Sequence, residues 1–244
     1  MLEVNKLYNI DCLDGMKEIN DKSIDMILCD LPYGTTQCKW DTVIPFEPLW
    51  EQYNRIIKDN GAIVLFRSQP FTSNLIMSNI SNFKYCIIWE KSKATGFLNA
   101  KKRPMVAHED ICVFYKKQCT YNPQMVSGNP YNKGVRKKQT EDDVYGEFDQ
   151  VEVKSDGLRY PRSVQYFKTA ESEGVTYHKT QKPVALCEYL IRTYTDEGDL
   201  ILDNCGGSMT TAVAAINTGR NYICMENNKE IFETGKSRID ALKV

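Results

Sequence analysis

The segment that most constrains this chain is DLILDNCGGSMTTAVAAINTGRNYICMEN, residues 199–227. An apolar strand, Leu200 to Leu202, ends at Asp203. A turn of small residues follows, Cys205-Gly206-Gly207-Ser208, and a helix opens behind it. A second strand, 221–226, ends at Glu226, about 20 residues after the glycines, as in nucleotide-binding α/β units. Small residues let a ligand approach the backbone, and a helix N-terminus offers unpaired N–H groups to it. The acid at the second strand end suits a ribose diol. The spacing therefore points to an adenosine-type ligand. A strict G-x-G-x-x-G is absent, so ordinary tight strand-to-helix packing stays open as the other reading.

The remaining pattern agrees with one α/β sheet. Residues 4–9, 24–29, 62–66, 83–90, 110–116 and 199–203 read as strands. Residues 11–19, 46–58, 70–80, 183–195, 209–217 and 228–242 have helical spacing. Asp11 opens the first helix, and Asn60-Gly61 reads as the C-cap of the second. Strands alternating with helices predict a Rossmann-like, mostly parallel sheet with helices on both faces. Residues 117–180 have little periodicity and many Asn, Gly, Pro and charged residues, which reads as an irregular insertion. With 244 residues, the length prior is about 1.6 domains, one domain plus an insertion.

Composition narrows the class further. Apolar runs such as Ala62 to Phe66 are far short of the roughly 20 residues a membrane span needs, and no secretory leader is seen, so a cytoplasmic protein is expected. The nine cysteines include no C-x-x-C and read as small buried hydrophobes in a reducing compartment. Two histidines without clustered ligands predict no metal site.

Charge is uneven although the net charge is −1. Residues 91–138 hold eleven Lys and Arg against Glu109 and Asp110, a balance of +9. Residues 141–156 hold seven acids against Lys154, a balance of −6. Trp89, Phe97, Phe114, Tyr115, Tyr121 and Tyr131 are interleaved with the basic stretch. Cations track a phosphate backbone and aromatics stack on bases, so the stretch is a candidate nucleic-acid face; a solvated lysine surface is the alternative.

A second turn carries chemistry. Asp30-Leu31-Pro32-Tyr33-Gly34 follows the buried strand IDMILC, and ligands collect beyond the carboxyl ends of such strands. A carboxylate, a backbone carbonyl and a flat ring suit a planar heterocycle bearing an exocyclic amine.

Here the sequence resembles a known family. D-L-P-Y is similar to the D-P-P-Y motif of the amino DNA methyltransferases, which act on adenine N6 or cytosine N4. LDNCGGSMTT resembles their S-adenosylmethionine motif, and HKTQKP at 178–183 resembles the motif before it. The order, catalytic motif first and cofactor motif last, is that of the permuted β class. The resemblance implies a permuted methyltransferase fold with a catalytic half at 1–116, a target-recognition insertion at 117–177 and a cofactor half at 178–244. It implies that Asp30 and the Leu31 carbonyl bind the amine, that Pro32 fixes the turn and that Tyr33 stacks on a flipped base. Asp203, Cys205, Gly207 and Thr210 are expected to line the S-adenosylmethionine pocket, with Glu226 on the ribose and Asp11 near the adenine. Lys182, with His178 and Gln181 beside it, is expected near the methionine moiety. Double-stranded DNA is the implied substrate, with adenine favoured by Asp rather than Ser at position 30. The family leaves a homodimer and a cognate restriction enzyme open.

Three residues depart from the pattern: Leu31 for the first proline, Met209 for a glycine, and Arg67 where a small residue is common. Met209 either narrows the cofactor site or points into helix packing. Together Met209 and Arg67 raise the alternative of a catalytically weak DNA-binding protein; methylation of RNA is the other competing reading.

Overall fold

The computed structural model describes residues 2–32, 34, 42–135, 152–178, 180–242. Its main body spans 2–122 and 163–242, and a second compact unit lies within 123–162.

In the main body β1 (Lys6–Tyr8), α1 (Cys12–Lys17), β2 (Ile24–Cys29), α2 (Phe46–Ile56), β3 (Ile57–Arg67), α3 (Phe71–Ser78), β4 (Phe83–Thr95) and β5 (Val106–Phe114) come first. The second unit holds two short antiparallel pairs. β6 (Val126–Ser127) and β7 (Tyr131–Val135) meet β9 (Leu158–Arg159) and β8 (Glu152–Ser155) respectively. The chain returns through β10 (Val164–Phe167), α4 (Val184–Tyr194), β11 (Leu200–Asp203), α5 (Thr210–Asn217), β12 (Asn221–Met225) and α6 (Lys229–Ala241). The main sheet has the order β1-β12-β11-β2-β3-β5-β4-β10 and is parallel except where β5 runs against β3 and β4.

The apolar run of β2 shows why the sheet is covered on both faces. Met26 and Leu28 pack with α4, α5 and α6, through residues such as Leu190, Ala212 and Ile239. Ile27 and Cys29 point the other way, onto Met16, Leu49, Tyr53 and Leu75 of α1, α2 and α3. A strand buried on both sides has no polar alternation, as IDMILC has none. Among the described residues no helix is long and apolar enough to cross a membrane.

Three expectations are corrected. Asn60-Gly61 is not a helix C-cap: α2 ends at Ile56, Ile57 is already extended, and Gly61 sits inside β3. A Cβ on Gly61 would lie 2.7 Å from the Asp25 carbonyl, where the β2–β3 register shifts, so the glycine serves a close backbone approach. The segment expected to be irregular contributes a strand, β10, which pairs with β4 at the sheet edge. It is only four residues long, VQYF, with Val164 and Tyr166 exposed, so no apolar-in, polar-out alternation marks it as a strand. Finally, β4 and β5 extend well past the expected 83–90 and 110–116, to Thr95 and back to Val106.

Candidate functional site

β11 leads through α5 to β12 on one side, while its neighbour β2 leads through α2 to β3 on the other. Adjacent strands whose connections diverge leave a crevice beyond their carboxyl ends. A cavity of about 1300 Å³ opens there.

One wall is the glycine turn. Asp203 ends β11, is buried, and accepts a hydrogen bond from the Cys205 N–H at 3.1 Å. Burial pushes its carboxyl up to about 6, against the opposing hydrogen bonds from Thr211 and Cys205. Glu226 follows β12 and is gripped by the backbone at both oxygens. Gly207 N–H donates at 3.0 Å and Asn228 N–H at 2.8 Å. Burial also raises its pKa. The Tyr53 hydroxyl reaches across from α2 and donates to the Asn204 side-chain Oδ1 at 2.6 Å, tying the turn to the opposite layer. Thr210 is buried with its hydroxyl on Ser208 and Arg238. Cys205, Gly207 and Thr210 all face the cavity with Asp203 and Glu226. Asp11 reaches it too, although its carboxylate caps α1 through Leu13 N–H at 2.9 Å.

The other wall is the turn after β2. Asp30, Leu31 and Pro32 line the cavity. Tyr33 lies outside the described residues. Asp30 binds the Lys182 ammonium at 2.5 Å, and Lys182 also lies 3.2 Å from Glu109. Glu109 in turn pairs with Lys91 at 2.5 Å. Burial pushes the Glu109 carboxyl up, but the two ammonium groups outweigh it and hold it below the ordinary range. Lys91 and Glu109 carry no signal of their own in the sequence beyond two acids opening an apolar strand, HEDICVF. His178 and Gln181 also face the cavity, with His178 Nδ1 against the Thr180 hydroxyl at 2.9 Å.

Two of the three departures from the family pattern, Met209 and Arg67, have a clear place in the structure. Met209 is fully buried with a left-handed φ of 58°, which explains a preference for glycine there. Its side chain packs between Gly206 and Gly235, where added Cβ atoms would meet it at 2.7 and 2.6 Å, and it does not line the cavity. Arg67 is also fully buried and does not itself line the cavity, but it sits directly behind two residues that do, Leu31 and Phe66. Its guanidinium donates to the Leu31 carbonyl at 3.3 Å and to the Phe66 carbonyl, and lies 5.0 Å from the Phe71 ring.

The basic stretch is narrower than its sequence count. Lys91 is buried in the ion pair with Glu109, Lys117 pairs with Asp59 at 2.9 Å, and Trp89 and Phe114 are core. Arg136, Lys137 and Lys138 lie outside the described residues. Lys93, Lys101, Lys102 and Arg103 are exposed around the tip of the β4–β5 hairpin.

Comparison with known proteins shows the family. A family model described as DNA methylase, of the N6/N4 type, matches residues 24–237. The chain is 27% identical over 263 residues to the Type II methyltransferase M1.MboII of Moraxella bovis, covering all of both chains. It is 27% identical to the DNA adenine methyltransferase YhdJ of Escherichia coli, covering 98% of this chain and 83% of that protein. Among solved structures, an M1.HpyAVI–SAM complex superposes with a TM-score of 0.62 at 23% identity, covering 96% and 97% of the two chains. The cytosine-N4-specific PvuII DNA methyltransferase gives 0.66 at 15% identity, over 98% and 87%.

Proposed function

The chain belongs to the N6/N4 DNA methylase family, and from that premise we propose that it transfers a methyl group from S-adenosylmethionine to the N6 amine of an adenine flipped out of double-stranded DNA. One observation carries the cofactor reading. Six carboxylates line the cavity, Asp11, Asp30, Glu109, Glu171, Asp203 and Glu226, against three ammonium groups, Lys91, Lys182 and Lys229. A buried Asp203 with a raised pKa favours a cationic ligand, because a nearby positive charge offsets the desolvation of its ionised form. Glu226 offers the ribose diol an acceptor already oriented by two backbone N–H groups.

When bound, S-adenosylmethionine supplies an electrophilic methyl on a sulfonium. The chain's own residues prepare the nucleophile. The amine lone pair is delocalised into the base, and the base edge is buried in a duplex, so the base must leave the stack. Asp30 accepts one amine hydrogen; its carboxylate has about four lone-pair sites, so the bond to Lys182 leaves capacity. The Leu31 carbonyl accepts the other, held in place by Arg67 from behind. Both bonds draw the nitrogen toward a tetrahedral geometry. Tyr33 supplies the stacking face. Lys182 stays between Asp30 and Glu109 and offsets the negative charge of the two carboxylates before the base arrives. Met209 points into packing and Arg67 lies behind the Leu31 carbonyl, so neither side chain occupies the cavity, which favours an active enzyme over a catalytically weak one.

Asp30 and the likeness to YhdJ support adenine over cytosine. The second unit, 123–162, is proposed to read the DNA sequence, and the likeness to Type II enzymes supports a restriction–modification setting in the cytoplasm. Expression in a methylation-free host followed by single-molecule sequencing tests the proposal. N6-methyladenine in one sequence context is expected; N4-methylcytosine would overturn the base assignment, and unmodified DNA the activity.

A further inference from the structure

The β4–β5 hairpin runs past the end of the central strands. Arg67, the last residue of β3, faces Asp110 on β5, while Thr95 at the end of β4 faces Val106, four residues further out. At about 3.4 Å per residue along β5, the hairpin continues roughly 14 Å beyond β3, with a bulge in β4 between Glu90 and Thr95. It does so at the sheet end where Asp30 sits, because β2 and β3 are parallel and Lys91, Thr95 and Glu109 line the same cavity as Asp30.

Beyond Thr95 the chain turns through Gly96, with a left-handed φ of 89°, into one 3-10 turn, Phe97–Asn99. Asn99 N–H donates to the Gly96 carbonyl at 2.9 Å, Ala100 N–H to Phe97 at 3.0 Å and Lys102 N–H to Asn99 at 2.8 Å. The tip is thus braced by its own backbone. It carries Phe97, 77% exposed, and Leu98, 95% exposed, with the exposed Met105 close in sequence. Isolated exposed apolar residues need no explanation, but an adjacent pair on a braced protrusion marks a binding surface. Residues 92–108 add Lys93, Lys101, Lys102 and Arg103 and no carboxylate. An apolar point ringed by cations complements a polyanion with an apolar interior, which is a stacked duplex.

We propose that this tip is a DNA-opening element: Leu98 and Phe97 enter the base stack beside the target and occupy the space it vacates, while Lys101, Lys102 and Arg103 hold the flanking phosphates. The inference rests on the proposed transfer to a flipped base, and it assigns the residues that keep the duplex open while the base lies at Asp30. Apolar side chains wedged between base steps act this way in other DNA-bending proteins.

The test compares two duplexes bearing the sequence found by the sequencing experiment. In one the target adenine is paired; in the other it faces an abasic site and is already loosened. The double variant Phe97→Ser/Leu98→Ser should lose at least about tenfold in methylation of the paired target and clearly less on the loosened one. Leu98→Met, which keeps an apolar side chain at the tip, should retain most of the paired rate. The triple variant Lys101→Ala/Lys102→Ala/Arg103→Ala should instead weaken both duplexes alike and reduce the salt slope of binding by about three. Melting curves should be unchanged in all variants, since these side chains are exposed. Equal losses on both duplexes in the double variant, or none, would overturn the insertion while leaving the methyltransferase reading intact. So would a wild-type dimer that the double variant converts to monomer, since a second copy would then cover the tip. A wild-type protein that methylates neither duplex overturns the activity, and the insertion with it.

Discussion

The alternating chain Lys91–Glu109–Lys182–Asp30 is the part of the site whose energetics the structure fixes best. Glu109 lies between two ammonium groups, at 2.5 Å from Lys91 and 3.2 Å from Lys182, and all three side chains are nearly buried. Glu109→Gln keeps the shape and removes the charge. Two buried cations then share a neutral partner, and Lys91 loses its counter-ion altogether. Breaking a buried pair in this way costs about 3–5 kcal/mol. For a body of this size, each kcal/mol moves the midpoint by roughly 2–4 °C, so a fall of about 6–20 °C is expected. Lys91→Met in the same background should recover much of that loss, because the cation that Glu109 served is gone. A double-mutant cycle by thermal melting should show coupling of at least about 1 kcal/mol. Methyl transfer by Glu109→Gln should also fall, since Lys182 then leans more heavily on Asp30 and competes harder with the amine. Additive melting shifts, or a Glu109→Gln protein as stable as the wild type, would refute the network as the support of Lys182.

Two further outcomes follow from the glycine turn. Asp203, raised to about 6 from an unfolded value near 3.8, binds its proton more tightly when folded. Its ionisation therefore opposes folding, with no effect below about pH 4, a growing penalty between pH 4 and 6, and at most about 3 kcal/mol above that. Asp203→Asn should flatten the stability of the ligand-free protein across that window in urea melts, and should weaken S-adenosylmethionine binding at pH 8. Met209→Gly should relieve a left-handed residue worth about 1–2 kcal/mol yet lose a buried side chain worth about 2–5, so melting falls and cofactor affinity does not rise. Tighter binding by calorimetry would mean that the side chain obstructs the pocket.

What the sequence made legible was local. The strand–turn–helix–strand of 199–227 needs only short-range spacing, and its expected pocket residues, Asp203, Cys205, Gly207, Thr210 and Glu226, share one cavity with Asp30 and Lys182. Met209 was ambiguous because a left-handed backbone and a buried side chain leave no periodic trace; its direction depends on Gly235 of α6, 26 positions on. The ion network was invisible for the same reason at greater range. Its four members sit at 30, 91, 109 and 182, and only the β4–β5 ladder and the Lys182 approach to Asp30 bring them together. Lys91 even counted toward the DNA-facing charge, since a composition window cannot separate a buried cation from an exposed one.

In the proposed function Asp30 acts on the amine and not on the cofactor or the fold. The most direct test is one protein, Asp30→Ala, measured for methyl transfer to the mapped sequence and for S-adenosylmethionine affinity in the same preparation. The glycine turn and Glu226 are untouched by the substitution, so affinity should change little, while transfer should fall by at least about a hundredfold, the scale of one positioned electrostatic group. Transfer near the wild-type rate, or a loss matched by an equal loss of cofactor binding, would contradict the account.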